Sequence, residues 1–346
     1  MSASLKILQP GPQTTVQDLG RHGFQAYGVP VCGALDGTAL RLANALVGNE
    51  AAQAGLEIRL AGPAFEVIGG PARLALAGAL ASIEVTLGDE TRRYSAWRAI
   101  DVPEGAHVRV GALTGSGCAV LAFAGGVDVP LVLGSRATDL KGRFGGHEGR
   151  ALVAGDRLPL GKGETQAPCL ELPSPPRATG EVTLRAVPGP QADAFTDEAL
   201  NAFFATTYRV SREADRMGMR LEGPPLAFRN GADIVSDGIA TGAIQVPGSG
   251  LPILLLVDHQ TIGGYAKIAT VISADLPLAG GLMPGALILF RAVTVAEGEE
   301  ARRAGEAEIA RLIASLAPVR EGARIDEAAL HQANLISGVV TALESS

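Results

Sequence analysis

Residues 5–13 read LKILQPGPQ, and residues 184–191 read LRAVPGPQ. The tetrapeptide Pro10-Gly11-Pro12-Gln13 thus recurs as Pro188-Gly189-Pro190-Gln191, 178 residues later. Self-similarity at long spacing marks repeated architecture. Three further pairs follow in the same order. Arg59-Leu60-Ala61-Gly62-Pro63 is echoed by Arg220-Leu221-Glu222-Gly223-Pro224, Gly78 to Val85 by Gly238 to Val246, and Gly105-Ala106 by Gly285-Ala286 before an apolar run. The chain therefore reads as two related halves. The spacing drifts from about 160 to about 180 residues, so the second half carries an extra stretch. It includes or borders Asp258-His259-Gln260-Thr261-Ile262-Gly263-Gly264-Tyr265, and a segment present in one copy is a natural place for function.

Most segments in both halves are short apolar or alternating runs. Arg73–Leu80, Ala81–Leu87, His107–Val110 and Cys118–Ala124 are examples in the first half. Ala243–Val246, Pro252–Val257, Ala269–Ile272 and Ala286–Phe290 are examples in the second. Many short strands at this spacing predict barrels or sandwiches rather than βαβ units. The composition agrees: 45 glycines and 21 prolines stand in 346 residues, well above average usage, with no collagen-like period. Helices are few. Asp36 caps one that runs through Val47 and stops at Gly48, and Thr196 caps another over Asp197–Thr206. A third spans Val295–Leu316, and a fourth starts near Asp326. The proline-rich stretch around Pro173, Pro175 and Pro176 reads as a linker. The expected division is a first β domain over 1–170, a linker over 171–181, and a second β domain over 182–346 that includes the C-terminal helices.

The net charge is −7, which disfavours nucleic-acid backbones and anionic membranes as partners. No basic stretch followed by an apolar run opens the chain, and no apolar run approaches the ~20 residues of a membrane helix. Cys32, Cys118 and Cys169 are odd in number and far apart, as in a reduced cytoplasmic protein. The five histidines show no zinc-ligand spacing, so no metal is expected. Neither a P-loop, a GxSxG elbow nor a GxGxxG fingerprint is present.

Four polar segments stand out. Gln17, Asp18 and Arg21 place an amide, a carboxylate and a guanidinium within five residues. They either fix a loop through an Asp18–Arg21 ion pair or grip a carboxylate or phosphate. Asp36 is either a simple helix cap or part of a helix N-terminus facing an anion. The glycine-rich pair 134–139 and 145–150 is either a solvated loop or a nest of backbone N–H groups. The richest stretch, Asp258 to Lys267, emerges from the apolar run Leu251–Val257. Asp258, Gln260, Tyr265 and Lys267 supply acceptor, amide, phenol and cation there. Gly263-Gly264 allows close backbone approach, and Thr261 adds a hydroxyl. These residues alone lead to two related β domains with a polar cleft for a small polar ligand.

A resemblance carries the reading further. It rests on residues 13–36 (QTTVQDLGRHGFQAYGVPVCGALD), 41–49 (RLANALVGN), 56–63 (LEIRLAGP) and 124–140 (AGGVDVPLVLGSRATDL). It continues through 149–156 (GRALVAGD), 216–224 (RMGMRLEGP), the long stretch 236–276 and the closing Pro284-Gly285. Together they resemble the family of bacterial 5-oxoprolinase C subunits. That family is also called biotin-dependent carboxyltransferase or allophanate hydrolase subunit 2, and includes antagonists of KipI. The resemblance implies a mainly β fold of two tandem cyclophilin-like β-barrel domains with a few helices. It also implies a component of an ATP-dependent complex that hydrolyses 5-oxo-L-proline to L-glutamate, inactive without its partners. Those partners would be the 5-oxoprolinase B subunit, which is KipI-like, and the hydrolase-like A subunit.

Two alternatives come with the family. One is a carboxyltransferase component acting on urea or a related amide, with biotin carried by another chain, since no biotinyl-lysine motif is present. The other is a non-enzymatic antagonist of a KipI-like kinase inhibitor. In the oxoprolinase reading, Arg21 and Arg216 or Arg220 would hold carboxylate or phosphate. Gln17 and Gln245 would orient the ring amide, and Asp258 would act as general base. Gln260 and Tyr265 join Asp258 as catalytic candidates. Asp18, Asp36, Thr261, Gly263, Gly264 and Lys267 join the binding set. The chain departs from the family pattern at His22 (usually proline), Asp237 (often glutamate), Ile262 and Ala266 (a usual threonine and proline), and Ala279-Gly280-Gly281.

Overall fold

The computed structural model describes residues 3–163, 166–176 and 182–319. The expected helix near Asp326 and part of the expected linker lie outside them. The fold is mainly β, with four helices among the described residues: α1 (Gly37–Leu46), α2 (Asp197–Ala205), α3 (Leu276–Gly280) and α4 (Val295–Ala314).

The local signals are realised where they were read. The Asp36 side chain accepts from Ala39 N at 2.8 Å, and Thr196 accepts from Ala199 N at 3.1 Å. Each satisfies an N–H left open by the first helical turn. Thr294 forms a reciprocal capping box with Glu297 at the start of α4. The short helix α3, with proline in its first turn, was not expected.

The two halves build their strands differently. In the first half, one sheet runs Arg157–Pro159, Ser4–Gln9, Ala64–Ile68, His107–Val110, Ser82–Leu87, Glu90–Ser95. A second runs Gln13–Gln17, Gly55–Arg59, Cys118–Phe123, Ala72–Ala77, Ala99–Val102. In the second half the pairings close on themselves. Val182–Pro188, Leu287–Ala292, Thr207–Ala214, Gly218–Glu222, Ile253–Leu255, Ala243–Val246 and Ile262–Val271 form a ring, because Ile262–Val271 also pairs with Val182–Pro188. The strand Asp233–Gly238 hangs on Ile262–Val271 as an edge.

The echoed motifs therefore do not occupy equivalent places. Ser4–Gln9 pairs antiparallel on both sides, whereas Val182–Pro188 has one parallel neighbour. Gly11 adopts φ +74°, and Gly189 has no left-handed φ. Gly62 and Gly223 do share a physical reason. A Cβ at either would collide, with Val110 in one case and the Tyr208 ring in the other. Gly62 and Gly223 thus meet similar local close-packing demands, while the long-range pairings around the echoed motifs differ.

Two large apolar cores result, beside a small cluster of Ile239, Ala243 and Leu255. One gathers the strands and α1 of the first half, and the other fills the ring. Each half contributes to the other's core: Leu35 and Cys118 are buried in the second, and Leu312 of α4 in the first. Hydrogen bonds join them as well, from the Arg59 side chain (Nη1) to Gly280 O (2.8 Å) and from Gly117 N to Gly281 O (2.7 Å). Among the described residues no helix is long and apolar enough to cross a membrane.

Candidate functional site

Where the halves meet, three charged side chains are buried together. Arg216 follows the strand Thr207–Ala214, Glu57 sits in the strand Gly55–Arg59, and Asp258 follows Ile253–Leu255. Arg216 donates from Nε and Nη2 to the two Asp258 oxygens at 2.8 and 2.9 Å, from Nη2 to Gly33 O at 2.7 Å, and from Nη1 to Glu57. The second Glu57 oxygen accepts from Leu35 N at 2.7 Å. A bidentate guanidinium–carboxylate pair is among the strongest polar contacts available. Two carboxylates share one cation, so the cluster is short of positive charge. Burial, with Glu57 nearby, raises the Asp258 carboxyl above its ordinary range although Arg216 opposes this.

This geometry weighs against two expectations. Asp258 was expected as a general base and Arg216 as an anion holder. Both Asp258 oxygens are committed to Arg216, and each nitrogen of the Arg216 guanidinium donates within the protein. The cluster works as a clamp between the halves.

A second correction concerns Gln17, Asp18 and Arg21. Asp18 does not pair with Arg21. It accepts from Ser135 Oγ (2.7 Å), Arg136 N (2.6 Å) and Gly20 N (2.8 Å). Arg21 is buried, donates to Ala137 O, and lies 4.7 Å from the Phe144 ring centroid. Gln17 donates to Thr15 Oγ1 and Thr138 O. The glycine-rich loop pair packs around these side chains, and Arg21 Nε and Nη1 and Gln17 Oε1 are left without hydrogen-bond partners among the described residues.

The remaining candidates divide between surfaces. Gln245, Gln260, Tyr265 and Arg220 line one cleft of about 500 Å³, with Arg212, Asp215 and Met217. Thr261 faces a larger cleft of about 880 Å³ between the halves, lined also by His22, Cys32, Ile239 and Thr241. Asp36 borders a third cavity beside Arg185 and Asp275. There burial lifts its carboxyl to about 6, against the backbone N–H groups that would lower it. Lys267 is buried and pairs with the exposed Asp237 at 3.0 Å, whose carboxyl this contact holds below its ordinary range. Gly263 makes room: a Cβ there would lie 2.8 Å from Gln245 Nε2. Gly264 has no such near neighbour.

In the second half, the strand Ala243–Val246 carries Gln245 into the 500 Å³ cleft. Its register against Ile262–Val271 shifts between Ile244 and Gln245. Such irregularities re-aim side chains. Gln245 is 2% exposed, and its Nε2 has no hydrogen-bond partner among the described residues. The cleft therefore offers amide groups, a phenol and a guanidinium to a small polar ligand.

The model of the carboxyltransferase domain, subdomains A and B, matches residues 27–292. The chain belongs to this family. It is 40% identical to the 5-oxoprolinase C subunit of Escherichia coli K12 over 301 residues, covering 86% of this chain and 94% of that one. The C subunit of the Haemophilus influenzae 5-oxoprolinase is 33% identical, with 87% and 95% covered. Among solved structures, the Kluyveromyces lactis urea carboxylase superposes with a TM-score of 0.82 at 30% identity. It covers 92% of this chain, which spans 30% of that one.

For a carboxyltransferase-family chain, sequence reasoning missed Glu57 as a member of the clamp. The signal was a lone acidic residue inside a strand buried at four of its five positions, because a carboxylate there requires a partner. His259 was seen but not chosen. Its ring joins Gln260 O (2.6 Å) and Thr241 Oγ1 (3.1 Å), and burial lowers its pKa, so it holds the turn as a neutral ring.

Proposed function

We propose that this chain is the C subunit of a cytoplasmic, ATP-dependent 5-oxoprolinase that hydrolyses 5-oxo-L-proline to L-glutamate. It acts with a KipI-like B subunit and an A subunit. The observation that carries the reading is the 40% identity extending over 94% of the Escherichia coli C subunit. A match of nearly full length on both sides speaks for the same kind of part. The lactam resists hydrolysis because its amide is resonance-stabilised. Transfer of the ATP γ-phosphoryl group to the ring carbonyl oxygen releases ADP and activates that carbon. Water then adds, phosphate leaves, and the ring C–N bond opens to give glutamate. ATP belongs in this proposal to the assembled complex, and no residue of this chain is assigned to it.

A second reading, carboxyl transfer to urea or a related amide from a biotin-bearing partner, is favoured by the family and by the urea carboxylase neighbour. Co-expression with the adjacent reading frames separates the two. The proposal expects the chain alone to be inactive, and the reconstituted complex to release ADP and glutamate in equal amounts from 5-oxoproline. Carboxylation of urea by the complex, or binding of a KipI-like chain with no ATP turnover in any combination, would overturn it.

A further inference from the structure

We infer that this chain itself binds the lactam, in the cleft lined by Gln245, Gln260, Tyr265 and Arg220. In this arrangement the Gln245 amide nitrogen donates to the ring carbonyl, and Arg220 takes the carboxylate. This rests on the oxoprolinase reading and deepens it.

Three observations converge on the site. First, a buried amide N–H without a partner is costly, and each one kept in a native structure calls for a partner or another reason. Gln245 Nε2 is such a group. Second, the protein makes room for that amide. The strand pairing slips at Gln245, and glycine stands at 263, where a Cβ would press on Nε2 at 2.8 Å and on Ile239 at 2.8 Å. Gly263 has no left-handed φ, so its backbone does not require glycine. The missing Cβ lets the Gln245 amide and Ile239 pack directly against this strand. Third, the opposite charge requirement is met in the same cleft. Arg220 holds Glu213 at 2.7 Å, with both side chains mostly exposed. An exposed pair is weak, so a ligand carboxylate can displace Glu213. Asp215, the cleft's other acid, turns one oxygen to its own turn, accepting from Met217 N and Gly218 N. The cleft thus matches a small molecule with one amide carbonyl and one carboxylate.

The test uses the isolated full chain and three probes: L-5-oxoproline, cyclopentanecarboxylate (no amide) and 2-pyrrolidinone (no carboxylate). Affinity is read by calorimetry or ligand-observed NMR. L-5-oxoproline should bind at least tenfold more tightly than either half-ligand. Gln245→Leu should weaken it about tenfold while leaving cyclopentanecarboxylate unchanged. Gly263→Ala, which displaces the amide without removing it, should act in the same direction. Melting temperatures report whether each variant is folded. Absent binding of L-5-oxoproline, or equal affinity in the wild type and both folded variants, overturns the inference. Turnover by the complex is scored separately. Hydrolysis with a KM unmoved by Gln245→Leu would sink the cleft and keep the oxoprolinase reading. Lactam binding by the chain beside a complex that never hydrolyses it would keep the cleft and sink that reading.

Discussion

Replacing Arg216 by methionine keeps a long side chain but removes the cation from between Glu57 and Asp258. Both carboxylates are almost fully buried. At about 4 Å between charge centres and an effective dielectric of about 20, each attraction to the guanidinium is worth about 4 kcal/mol. Experience with broken buried pairs sets the net cost at about 3–5 kcal/mol, since the loss leaves uncompensated charge. For a cooperative unit of 150–250 residues this lowers the melting temperature by roughly 6–20 °C. The deficit must also depend on pH. Burial raises the Asp258 carboxyl even against Arg216, and without Arg216 that opposition is gone. Stability then falls as pH rises above the ordinary carboxylate range, because the unfolded chain releases the Asp258 proton first. Urea denaturation at pH 5 and pH 8 should show the larger loss at pH 8. Glu57→Gln, which brings the cluster to neutrality and keeps an acceptor for Leu35 N, should be milder, under about 2 kcal/mol. A folded Arg216→Met protein that melts with the wild type at both pH values, but whose complex loses its grip on substrate, would refute the clamp. It would restore Arg216 as an anion holder.

Asp36 titrates near 6 in the folded chain, against an ordinary 3.8. Between about pH 4 and pH 6 it therefore subtracts stability as pH rises. Asp36→Asn keeps an acceptor for Ala39 N and should flatten the melting temperature across that window, and an unchanged slope would contradict the assignment. The Tyr208 hydroxyl is buried without a partner among the described residues, and burial pushes its pKa up to about 12. Tyr208→Phe should leave stability equal or higher by about 1 kcal/mol in denaturant titrations. A loss of that size would reveal a partner.

Three of the four described helices and many of the strands were legible because their signals are local. Asp36 and Thr196 cap helices through residues three positions on, and apolar runs mark buried strands wherever they pair. Family membership was legible too, since it resides in contiguous motifs. The site was only partly so. Gln245, Gln260 and Tyr265 lie within 21 residues, and their shared polarity pointed to one cleft. The joining of Glu57 to Arg216, 159 residues apart, had no local trace beyond a carboxylate in a buried strand. Nor could spacing reveal that Asp18 would turn to Ser135, or that matching PGPQ turns would enter different pairings. By itself the sequence determined the elements, the family and the chemical repertoire. The tertiary structure decided which of those groups are spent on each other and which stay open. A side chain's availability depends on what burial and long-range pairing place beside it, and neither is written in its neighbours along the chain.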